Sequence, residues 1–333
     1  MRFFSILLYD LAIWFYVLSI RIFSIVNSKA KLFIDGRKNW RNNISEKLQP
    51  NEKLIWFHCA SVGEFEQARP VIEKLKFEKP DHKIAITFFS PSGYELRKKY
   101  SGADYVFYLP VDTKINAQDF IAIIKPRVAV FVKYELWIHM IEELHEKKIP
   151  LLLISSVFRE NQFFFRWYGK YFRLVLNRFN LILTQTQRSL DLLQLLGVSN
   201  VLLGRDTRFD RVDQIANHPL ELPLIKAFCA NKKILVAGST WQNDEQLLIQ
   251  LFSSGLMNDW KLIVVPHEIN QHQITDLQNK FGAVATLESK SAAESSDKSV
   301  LIIDSVGKLS SIYQFATVAY VGGGFGRGIH NIL

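Results

Sequence analysis

Short apolar runs alternate with amphipathic segments through most of this chain. Apolar runs of roughly four to eight residues are typical of buried strands, and apolar residues three and four apart are typical of helices. In the first part of the chain the predicted strands are Leu54–Cys59, Ile84–Phe89, Tyr105–Leu109, Val128–Val132, Leu151–Ile154 and Leu181–Thr184. The helices predicted between them are Glu66–Phe77, Gly93–Lys99, Ala117–Ile124, Leu136–Lys147 and Phe163–Asn177. This alternation predicts an α/β domain with a parallel sheet covered on both faces.

A second set of elements follows Arg211–Pro223, a stretch whose prolines and mixed charges indicate a linker. Its predicted strands are Ile234–Ala237, Leu262–Val265, Ala283–Leu287, Val300–Ile303 and Val318–Val321, and its predicted helices are Asp244–Ser253, Asn270–Lys280 and Leu309–Phe315. A chain of 333 residues is long enough for two such cores. We therefore expect two Rossmann-like domains, 29–210 and 211–333, that face each other across a cleft.

The first 28 residues differ from both domains. The segment Phe3–Ile20 carries one charge, Asp10, and about 20 apolar residues are needed to span a bilayer. It suits a membrane-anchor helix that spans the membrane or lies in its interface, with Trp14, Tyr16 and Arg21 as interfacial anchors. The alternative is a buried amphipathic helix of a soluble protein.

The net charge of +9 is unevenly placed, because the first 53 residues hold nine Lys or Arg against four Asp or Glu. A basic region of this kind fits anionic lipid, a phosphorylated substrate or nucleic acid. The sequence has no zinc finger, RNP motif or Arg-rich arm, so we expect no nucleic acid partner. The basic excess after the anchor places the body of the protein on the cytoplasmic side. Cys59 and Cys229 are too isolated for a disulfide framework or a metal site.

A carboxylate follows the first predicted strand. In His58-Cys59-Ala60-Ser61-Val62-Gly63-Glu64 the acid sits in a turn of small residues between strand and helix. Ligands of open α/β sheets bind at the carboxyl ends of strands, so Glu64 is a candidate general base. Alternatively, it is a first-turn acid that favours the helix dipole.

A second acid, Glu135, follows the Val128–Val132 strand and should lie on the same edge of the sheet as Glu64. It would orient the base, contact substrate, or form a structural salt bridge. The sequence contains no H-E-x-x-H motif and no clustered His and Asp ligands, so we expect no metal and no other cofactor. The run 205–210 places Arg205 and Arg208 near the domain boundary, although solvated charge is the usual interpretation of such runs.

Small and polar residues follow strands of the second domain as well. Residues 238–240 and 305–309 each precede a predicted helix, where free backbone amides suit a phosphate. Helix capping by Ser or Thr is the alternative. The glycine-rich run 322–328 departs from G-x-G-x-x-G, yet it would allow backbone amides to approach a phosphate, with His330 and Asn331 beside it. No helix follows this run, which suggests a carboxyl-terminal truncation; a small, irregular second domain is the alternative.

Taken in order, these motifs resemble the 3-deoxy-D-manno-oct-2-ulosonic acid (Kdo) transferases of lipopolysaccharide synthesis. The matching stretches are the apolar amino terminus, His58–Glu64, Thr87 with 91–93, 109–112, 135–137, Gln185, 207–210, Ser239-Thr240, Gly307 with Leu309, Gly322-Gly323, and Gly328 with His330, Asn331 and Leu333.

The resemblance implies a GT-B fold, CMP-Kdo as donor and co-substrate, a lipid A precursor as acceptor, and inversion without a metal. It assigns the catalytic base to Glu64. Candidate acceptor-side and supporting residues are Ser61, Gly63, Glu135, Arg159 and Arg208. Candidate donor-side residues are Ser239, Thr240, His267, Gly307, Lys308, Leu309, Gly323, His330 and Asn331. The enzyme would work on the cytoplasmic face of the bacterial inner membrane, against an anionic lipid surface.

The chain also departs from the family's pattern. Lys133-Tyr134 replace the usual E-T before Glu135, and the arginine of N-A-R-L-S is displaced to Arg159. The substitutions on the donor side are Trp241 for His, His267-Glu268 in the P-R-H-P segment, Lys308 for Glu and Ile329 for Gly. They leave two alternatives open: a GT-B transferase or epimerase that uses another nucleotide sugar, and a non-catalytic membrane-bound protein that binds a nucleotide or lipid.

Overall fold

The computed structural model describes residues 2–133, 135–166, 169–230, 232–290 and 297–325. The chain forms two compact units, Met1–Asp210 and Arg211–Leu333. Each unit is built on its own parallel sheet.

The sheet of the first unit contains seven strands among the described residues. They are β1 (Leu54–Cys59), β2 (Lys83–Phe88), β3 (Tyr105–Tyr108), β4 (Val128–Val132), β5 (Leu151–Ser156), β6 (Leu181–Thr184) and β7 (Val201–Leu203). Their order across the sheet is β3-β2-β1-β4-β5-β6-β7, and every pair is parallel. Six of them lie where the apolar runs predicted strands. The short edge strand β7 was not predicted, because two of its three residues are exposed and its apolar run is brief.

The helices of the first unit cover both faces of this sheet. They are α1 (Arg2–Phe23), α2 (Ser28–Asp35), α3 (Trp40–Ser45), α4 (Val62–Glu78), α5 (Pro91–Arg97), α6 (Lys114–Ile124), α7 (Ile138–Glu146), α8 (Lys170–Leu176) and α9 (Gln187–Leu195). Helix α10 (Arg208–Asn217) begins at the end of the first unit, and most of its residues belong to the second. Side chains alternate along β1: Trp56 joins the core under α6, whereas Phe57 joins the core under α4. The sheet is therefore buried on both sides, as a parallel sheet requires.

Two predicted boundaries are wrong. The single helix predicted over Phe163–Asn177 is a 3-10 turn, Phe163–Phe165, followed by α8. The turn requires glycine at position 169, because an added Cβ would lie 2.1 Å from the carbonyl oxygen of Phe163. The predicted linker Arg211–Pro223 is largely helical, because α10 continues to Asn217. Its polar composition hid an uninterrupted run without Gly or Pro.

The second unit contains a five-stranded sheet among its described residues. Its strands are β8 (Lys233–Thr240), β9 (Trp260–Pro266), β10 (Ala285–Leu287), β11 (Val300–Ile302) and β12 (Val318–Val321), in the order β10-β11-β9-β8-β12. Its helices are α11 (Pro223–Cys229), α12 (Gln242–Ser253), α13 (Gln271–Phe281) and α14 (Leu309–Ile312). Both units thus have the parallel α/β architecture that the alternation of apolar runs predicted.

The amino-terminal helix α1 is an exposed apolar helix, not a buried one. In the described part of the chain, Phe4–Phe23 is the one helix long and apolar enough to cross a membrane by length and composition. Phe4, Leu8 and Phe15 are each more than half exposed. The alternative of a core helix therefore does not fit.

A buried aspartate joins α1 to the body of the first unit. Asp112 accepts hydrogen bonds from Tyr9 Oη at 2.6 Å and from the backbone amides of His139 and Met140 at 3.0 Å. Burial raises the pKa of this carboxyl, and its hydrogen bonds and the nearby His139 oppose that rise. Asp10 of α1 lies 2.6 Å from His139 Nε2. Asp112 therefore holds the start of α7 and, through Tyr9, the position of α1.

Candidate functional site

The first sheet has a topological switch point between β1 and β4. The chain passes from β1 to β2 on one side and from β4 to β5 on the other. In open α/β sheets, ligands bind in the crevice beyond the carboxyl ends of the strands at such a point. Glu64 lies in the first turn after β1, and Lys133 and Glu135 follow β4. Both predicted carboxylates therefore lie at the position where this type of sheet binds its ligand.

The carboxylate of Glu64 is held in one orientation. Its Oε2 accepts hydrogen bonds from the backbone amide of Ser61 at 2.6 Å and from Ser61 Oγ at 2.8 Å. Its Oε1 lies 3.8 Å from Lys133 Nζ, and the residue is only 8% exposed. The first two contacts fit a helix-capping acid. The second oxygen is left for another role, so the same residue can cap α4 and act as a fixed base.

Lys133 lies between acidic groups. Its backbone has a φ of +66°, a left-handed conformation that non-glycine residues adopt rarely and that recurs at functional sites. Burial, together with the negative charge of Glu64, raises the pKa of Glu135 to about 7, while Lys133 opposes that rise. The edge thus brings together a carboxylate with a nearby cation and a second carboxyl group whose pKa is raised toward neutrality.

A buried hydrogen-bonded chain supports this edge, and sequence reasoning missed it. Trp137 Nε1 donates to His58 Nε2 at 2.8 Å, and His58 Nδ1 lies 2.9 Å from Thr87 Oγ1. Thr87 Oγ1 also accepts from Trp56 Nε1 at 2.8 Å. Burial lowers the pKa of His58 to about 3, so the ring is neutral and its Nδ1 carries the proton. This chain fixes Trp137, two residues beyond Glu135, against β1 and β2.

The loop after β7 meets the same edge. Thr207 Oγ1 donates to the carbonyl oxygen of Gln67 in α4 at 2.6 Å and lies 3.0 Å from Ser155 Oγ at the end of β5. Ser155 and Arg205 both have positive φ, as Lys133 does. Among the described residues, Gln67 Oε1 is buried without a hydrogen-bonding partner. A buried unpaired acceptor one turn along α4 from Glu64 is a further candidate contact for a polar ligand.

The other acceptor-side candidates differ in their surroundings. Arg208 donates to both carboxylate oxygens of Asp206, and this pairing raises the pKa of the guanidinium. Arg159 is exposed in the loop after β5, where its backbone amide donates to Gln162. At Gly63 an added Cβ would meet only Ser61 Oγ at 3.7 Å. Packing therefore does not explain the glycine at position 63.

The second unit has its own switch point, between β8 and β12. The amide of Gly322 donates to the carbonyl oxygen of Gly238, and a Cβ at Gly322 would lie 2.5 Å from the carbonyl oxygen of Ser239. Ser239 itself has a φ of +53°. The close approach of these two loops requires glycine at position 322 and brings Ser239 beside the start of the glycine-rich run.

A buried aspartate, Asp244, holds these loops together. It accepts hydrogen bonds from the amides of Trp241 and Gly323, both at 2.9 Å, and from Tyr320 Oη at 2.5 Å. Burial and this hydrogen bond raise the pKa of Tyr320 to about 12. Gly323 is one of the candidate residues for binding the sugar donor. Its amide already donates a hydrogen bond to a side chain of the protein, Asp244.

The donor-side candidates Thr240 and His267 lie beside Trp241, whose ring stacks on that of His267. The rings of Trp241 and His267 stack with centroids 4.6 Å apart, and the amide of His267 donates to the carbonyl oxygen of Thr240. Thr240 is buried and donates to Glu245 Oε1 at 3.2 Å. A small pocket beside the stack is lined by Thr240, Trp241, Glu245 and Glu268, among others. These residues lie together at the carboxyl ends of β8 and β9.

The predicted phosphate site at 305–309 is largely closed by internal contacts. Lys308 Nζ lies 2.5 Å from Glu288 Oε1, and Ser305 Oγ donates to Glu288 Oε2 at 2.6 Å. Gly307 has a positive φ of 86°. Leu309 begins α14, a single turn of helix, and an added Cβ at Gly238 would lie 2.6 Å from its side chain. Its short helix and paired lysine make this a weaker phosphate candidate than the spacing predicted.

His330 and Asn331 lie outside the described residues. Among the residues that the structure describes, no group of three or more His, Cys, Asp or Glu side chains could hold a metal ion. Burial raises the pKa of the Cys59 thiol, and raises that of Cys229 to about 11. Neither cysteine therefore has the lowered pKa of a reactive thiol.

Comparison with known proteins adds family evidence to this geometry. The family model described as "3-Deoxy-D-manno-octulosonic-acid transferase (kdotransferase)" matches residues 38–211, just over half of the chain. A 3-deoxy-D-manno-octulosonic acid transferase of Rickettsia felis is 27% identical over 286 residues, which cover 84% of this chain and 61% of that protein. The Aquifex aeolicus protein of the same description is also 27% identical and covers 86% of this chain and 74% of its own. The chain thus spans about three fifths of the length of the Rickettsia felis relative.

Solved structures show the same fold at low sequence identity. UDP-GlcNAc 2-epimerase from Neisseria meningitidis aligns with a TM-score of 0.54 and 16% identity, covering 80% of this chain and 76% of that one. The Methanocaldococcus jannaschii UDP-GlcNAc 2-epimerase gives 0.53 and 14%, with 80% and 77% covered. This likeness confirms the predicted α/β fold of the GT-B type.

Proposed function

The chain belongs to the Kdo transferase family, and from that premise we propose that it is an inverting glycosyltransferase that transfers Kdo from CMP-Kdo to a lipid A precursor of the lipid IVA type. The observation that carries the proposal is the fixed carboxylate of Glu64 at the switch point of the first sheet, with Lys133 Nζ 3.8 Å away. A base at this position needs a defined orientation and an ionised form at neutral pH.

In the proposed reaction, a carboxylate oxygen of Glu64 takes the proton of an acceptor sugar hydroxyl. The hydroxyl oxygen forms a bond to the anomeric carbon of Kdo while the bond from that carbon to the CMP phosphate oxygen breaks. CMP leaves from the opposite face, so the configuration inverts. Ser61 fixes Glu64 through the contacts at Oε2, and Lys133 Nζ lies 3.8 Å from its Oε1.

Glu135 takes a different part in this proposal. Its pKa of about 7 leaves a substantial fraction protonated near neutrality. In that form it donates a hydrogen bond to an acceptor oxygen and adds no second negative charge beside the base. Gln67 Oε1 is available to accept a hydrogen bond from another hydroxyl of the acceptor.

The donor binds to the second unit in this proposal. Ser239 and Thr240 supply polar groups, and the Trp241–His267 stack supplies a ring face. Asp244, Gly322 and Gly323 shape these loops. The arrangement requires no metal or other cofactor, because hydrogen-bond donors at helix starts can stabilise a departing phosphate.

The membrane position follows from the acceptor. A lipid A precursor is embedded in the bilayer, so the enzyme must work at its surface, on the cytoplasmic face of the inner membrane. The exposed apolar helix α1 and the basic excess of the first 53 residues suit anchoring to an anionic leaflet.

The test is transfer of radiolabelled Kdo from CMP-Kdo to lipid IVA by wild type, Glu64→Gln and Glu73→Gln. Glu73 lies on the same helix and pairs with Arg69 at 2.7 Å, so its variant is the matched control. We expect Glu64→Gln to lose about 10²–10⁴-fold in rate, the usual contribution of a general base, and Glu73→Gln to keep near wild-type activity. Comparable losses in both variants, or none in Glu64→Gln, would contradict the role of Glu64.

A second candidate is a GT-B enzyme with another nucleotide-sugar donor. The substitutions at Trp241, His267-Glu268 and Lys308 favour it, since all three fall on the donor side. A panel of nucleotide sugars separates the two: preference for a UDP-sugar over CMP-Kdo would replace the donor in the first proposal. Binding of CMP without turnover would instead indicate a non-catalytic protein.

A further inference from the structure

Helix α1 contacts the residues that directly follow Glu135, and the proposed reaction gives these contacts no part. Half-buried apolar and aromatic side chains recur along α1 at every third or fourth position: Ile6, Tyr9, Ile13, Val17 and Ile20. The helix thus turns one stripe inward, and Ile6 and Tyr9 pack against the core that contains Trp56. A helix that served only as a tether would need neither a packed stripe nor polar contacts with the body of the unit.

The first contact runs through the buried carboxylate of Asp112. Tyr9 Oη donates to Asp112 Oδ2 at 2.6 Å, and the backbone amide of His139 donates to the same oxygen at 3.0 Å. The amide of Met140 donates to Oδ1 at 3.0 Å. Asp112 is fully buried, so these donors take the place of the water that a carboxylate binds at the surface. Loss of the Tyr9 hydroxyl would leave a buried oxygen with one partner fewer, and the start of α7 would be held less firmly.

The second contact holds the side chain of His139. Asp10 Oδ1 lies 2.6 Å from His139 Nε2, and the ring centroids of Tyr9 and His139 lie 5.7 Å apart. His139 is the second residue of α7, and Glu135 lies four residues before it. Two successive residues of α1 therefore fix both the backbone and the ring of one residue close to Glu135.

The third contact is aromatic. The ring of Tyr16 stacks on that of Phe89 with centroids 6.0 Å apart, and the centroids of Phe89 and Trp137 lie 4.4 Å apart. Trp137 Nε1 also donates to His58 Nε2 of β1 at 2.8 Å. Trp137 is thus held by β1 and, through Phe89, by α1.

These contacts leave Glu135 little freedom to move. On its amino side, the amide of Lys133 donates to the carbonyl oxygen of Ile154 at 2.9 Å. On its carboxyl side Trp137 is fixed, and Lys133 and Trp137 are each two positions from Glu135. A shift of the start of α7 would therefore move Glu135 along the edge of the sheet that carries Glu64, which we call the catalytic edge.

We propose that Tyr9 and Asp10 are positioning residues of the catalytic edge: they hold the start of α7 and thereby the place of Glu135. They act through Asp112 and His139, and not by contact with the substrate. The inference rests on the role proposed above for Glu135. It predicts that transfer depends on α1 even when the acceptor is dispersed in detergent and no bilayer is present.

The test is a double-mutant cycle on kcat with the full chain and lipid IVA in detergent micelles. Tyr9→Phe removes the hydrogen bond to Asp112 and keeps the ring, and Asp10→Ala removes the contact with His139. We expect each to lower kcat by about three- to tenfold, which lies within the range of couplings in one hydrogen-bonded network, with the KM for the donor unchanged. In a Glu135→Ala background neither change should lower kcat further, because the group that they position is absent.

Matched controls remove similar contacts elsewhere in the first unit. Tyr105 Oη donates to Glu52 at 2.8 Å at the amino end of β3, so Tyr105→Phe also loses a bond between a tyrosine and a carboxylate. Asp35 of α2 pairs with Lys38 at 2.7 Å on the surface, so Asp35→Ala also loses an exposed acid. Both variants should keep the wild-type kcat, and thermal melts verify that every variant folds.

Amide hydrogen exchange measures the start of α7 directly and does not depend on transfer. The amides of His139 and Met140 should exchange about tenfold faster in Tyr9→Phe than in the wild type, because their acceptor is held less firmly. The same amides should be unchanged in Tyr105→Phe. If the wild type transfers no Kdo, the proposed function fails, and this measurement still decides whether α1 holds the start of α7.

Three results would overturn the proposal. The first is an unchanged exchange rate for the amides of His139 and Met140 in Tyr9→Phe. The second is a wild-type kcat in both Tyr9→Phe and Asp10→Ala. The third is an equal loss of kcat on Tyr9→Phe with and without the Glu135 side chain, which would place the effect elsewhere in the unit.

Discussion

The two sheets have equivalent switch points, yet their charged groups are arranged differently. In the first unit, Glu64 and Lys133 are 3.8 Å apart, and Glu135 has a pKa raised to about 7. In the second unit, Asp244 accepts three hydrogen bonds from its own loops, and Lys308 pairs with Glu288 at 2.5 Å. The first edge keeps charge in a state suited to proton transfer, whereas the second uses charge to hold its loops. If the first edge carries out the chemistry and the second binds the donor, as proposed, the two tasks are served by different arrangements of charge.

The strongest test of this contrast measures both stability and transfer activity for a variant of Asp244 and a variant of Glu64. Asp244→Asn should lower the free energy of unfolding of the second unit by about 2–3 kcal/mol, because three buried donors lose a charged acceptor. Glu64→Gln should change stability by less than about 1 kcal/mol, since its amide oxygen still accepts from Ser61. Chemical denaturation followed by circular dichroism measures both.

Transfer activity is the second measurement on the same two variants. Asp244→Asn should impair it chiefly through a raised KM for the donor, and Glu64→Gln chiefly through kcat. An Asp244→Asn protein with wild-type stability would show that the second edge is not held by this carboxylate, and the contrast between the units would be lost.

Lys133→Met is the next largest test, and its effect should depend on pH. The cation opposes the rise in the pKa of Glu135. Its removal therefore raises that pKa above about 7. Because Glu135 acts in its protonated form in the proposed reaction, we expect the alkaline limb of the pH–rate profile to move upward by about one unit, roughly a tenfold gain on that limb, with little change at lower pH.

Lys133→Arg is the control for this prediction. It keeps the positive charge and a flexible side chain at the same left-handed backbone position, where φ is +66°. Its profile should match that of the wild type. A uniform loss at every pH in Lys133→Met, with the same loss in Lys133→Arg, would assign position 133 to packing or substrate contact and not to electrostatics.

The sequence predicted the strands better than it predicted the contacts between them. Buried apolar runs such as Leu54–Cys59 and Val128–Val132 have the bounds that were predicted, because burial on both faces makes them almost wholly apolar, with His58 as the polar exception. The polar helix Arg208–Asn217 was predicted as a linker because its composition resembles one. Short elements with exposed side chains, such as Val201–Leu203, carry too little apolar signal to be recognised.

The candidate site shows the same limit. The position of Glu64 and Glu135 on one edge follows from strand order, which βα alternation makes predictable. The pairing of Glu64 with Lys133 joins residues far apart in the chain, and the sequence marked Lys133 only as a departure from the family's E-T. The hydrogen bonds from Trp137 to His58 and between His58 and Thr87 likewise depend on three separate parts of the fold: β1, β2 and the residue before α7. No pattern of spacing could indicate these contacts.

The smallest expected effect on the fold is that of Gly63→Ala, and it sharpens the comparison between the two edges. Gly322 in the second unit cannot take a Cβ, because one would lie 2.5 Å from the carbonyl oxygen of Ser239. A Cβ at Gly63 meets only Ser61 Oγ at 3.7 Å, and position 63 is in the first turn of α4. Alanine there should leave the free energy of unfolding unchanged or raise it by up to about 1 kcal/mol, since alanine favours helix.

Any loss of transfer activity in Gly63→Ala would then come from crowding of the acceptor beside Glu64, and not from misfolding. We expect a raised KM for the acceptor with kcat nearly unchanged, measured by steady-state kinetics beside a thermal melt. Gly322→Ala is the matched variant, and it should destabilise the second unit. If Gly63→Ala were the less stable of the two, glycine 63 would be a structural requirement, and the first edge would resemble the second.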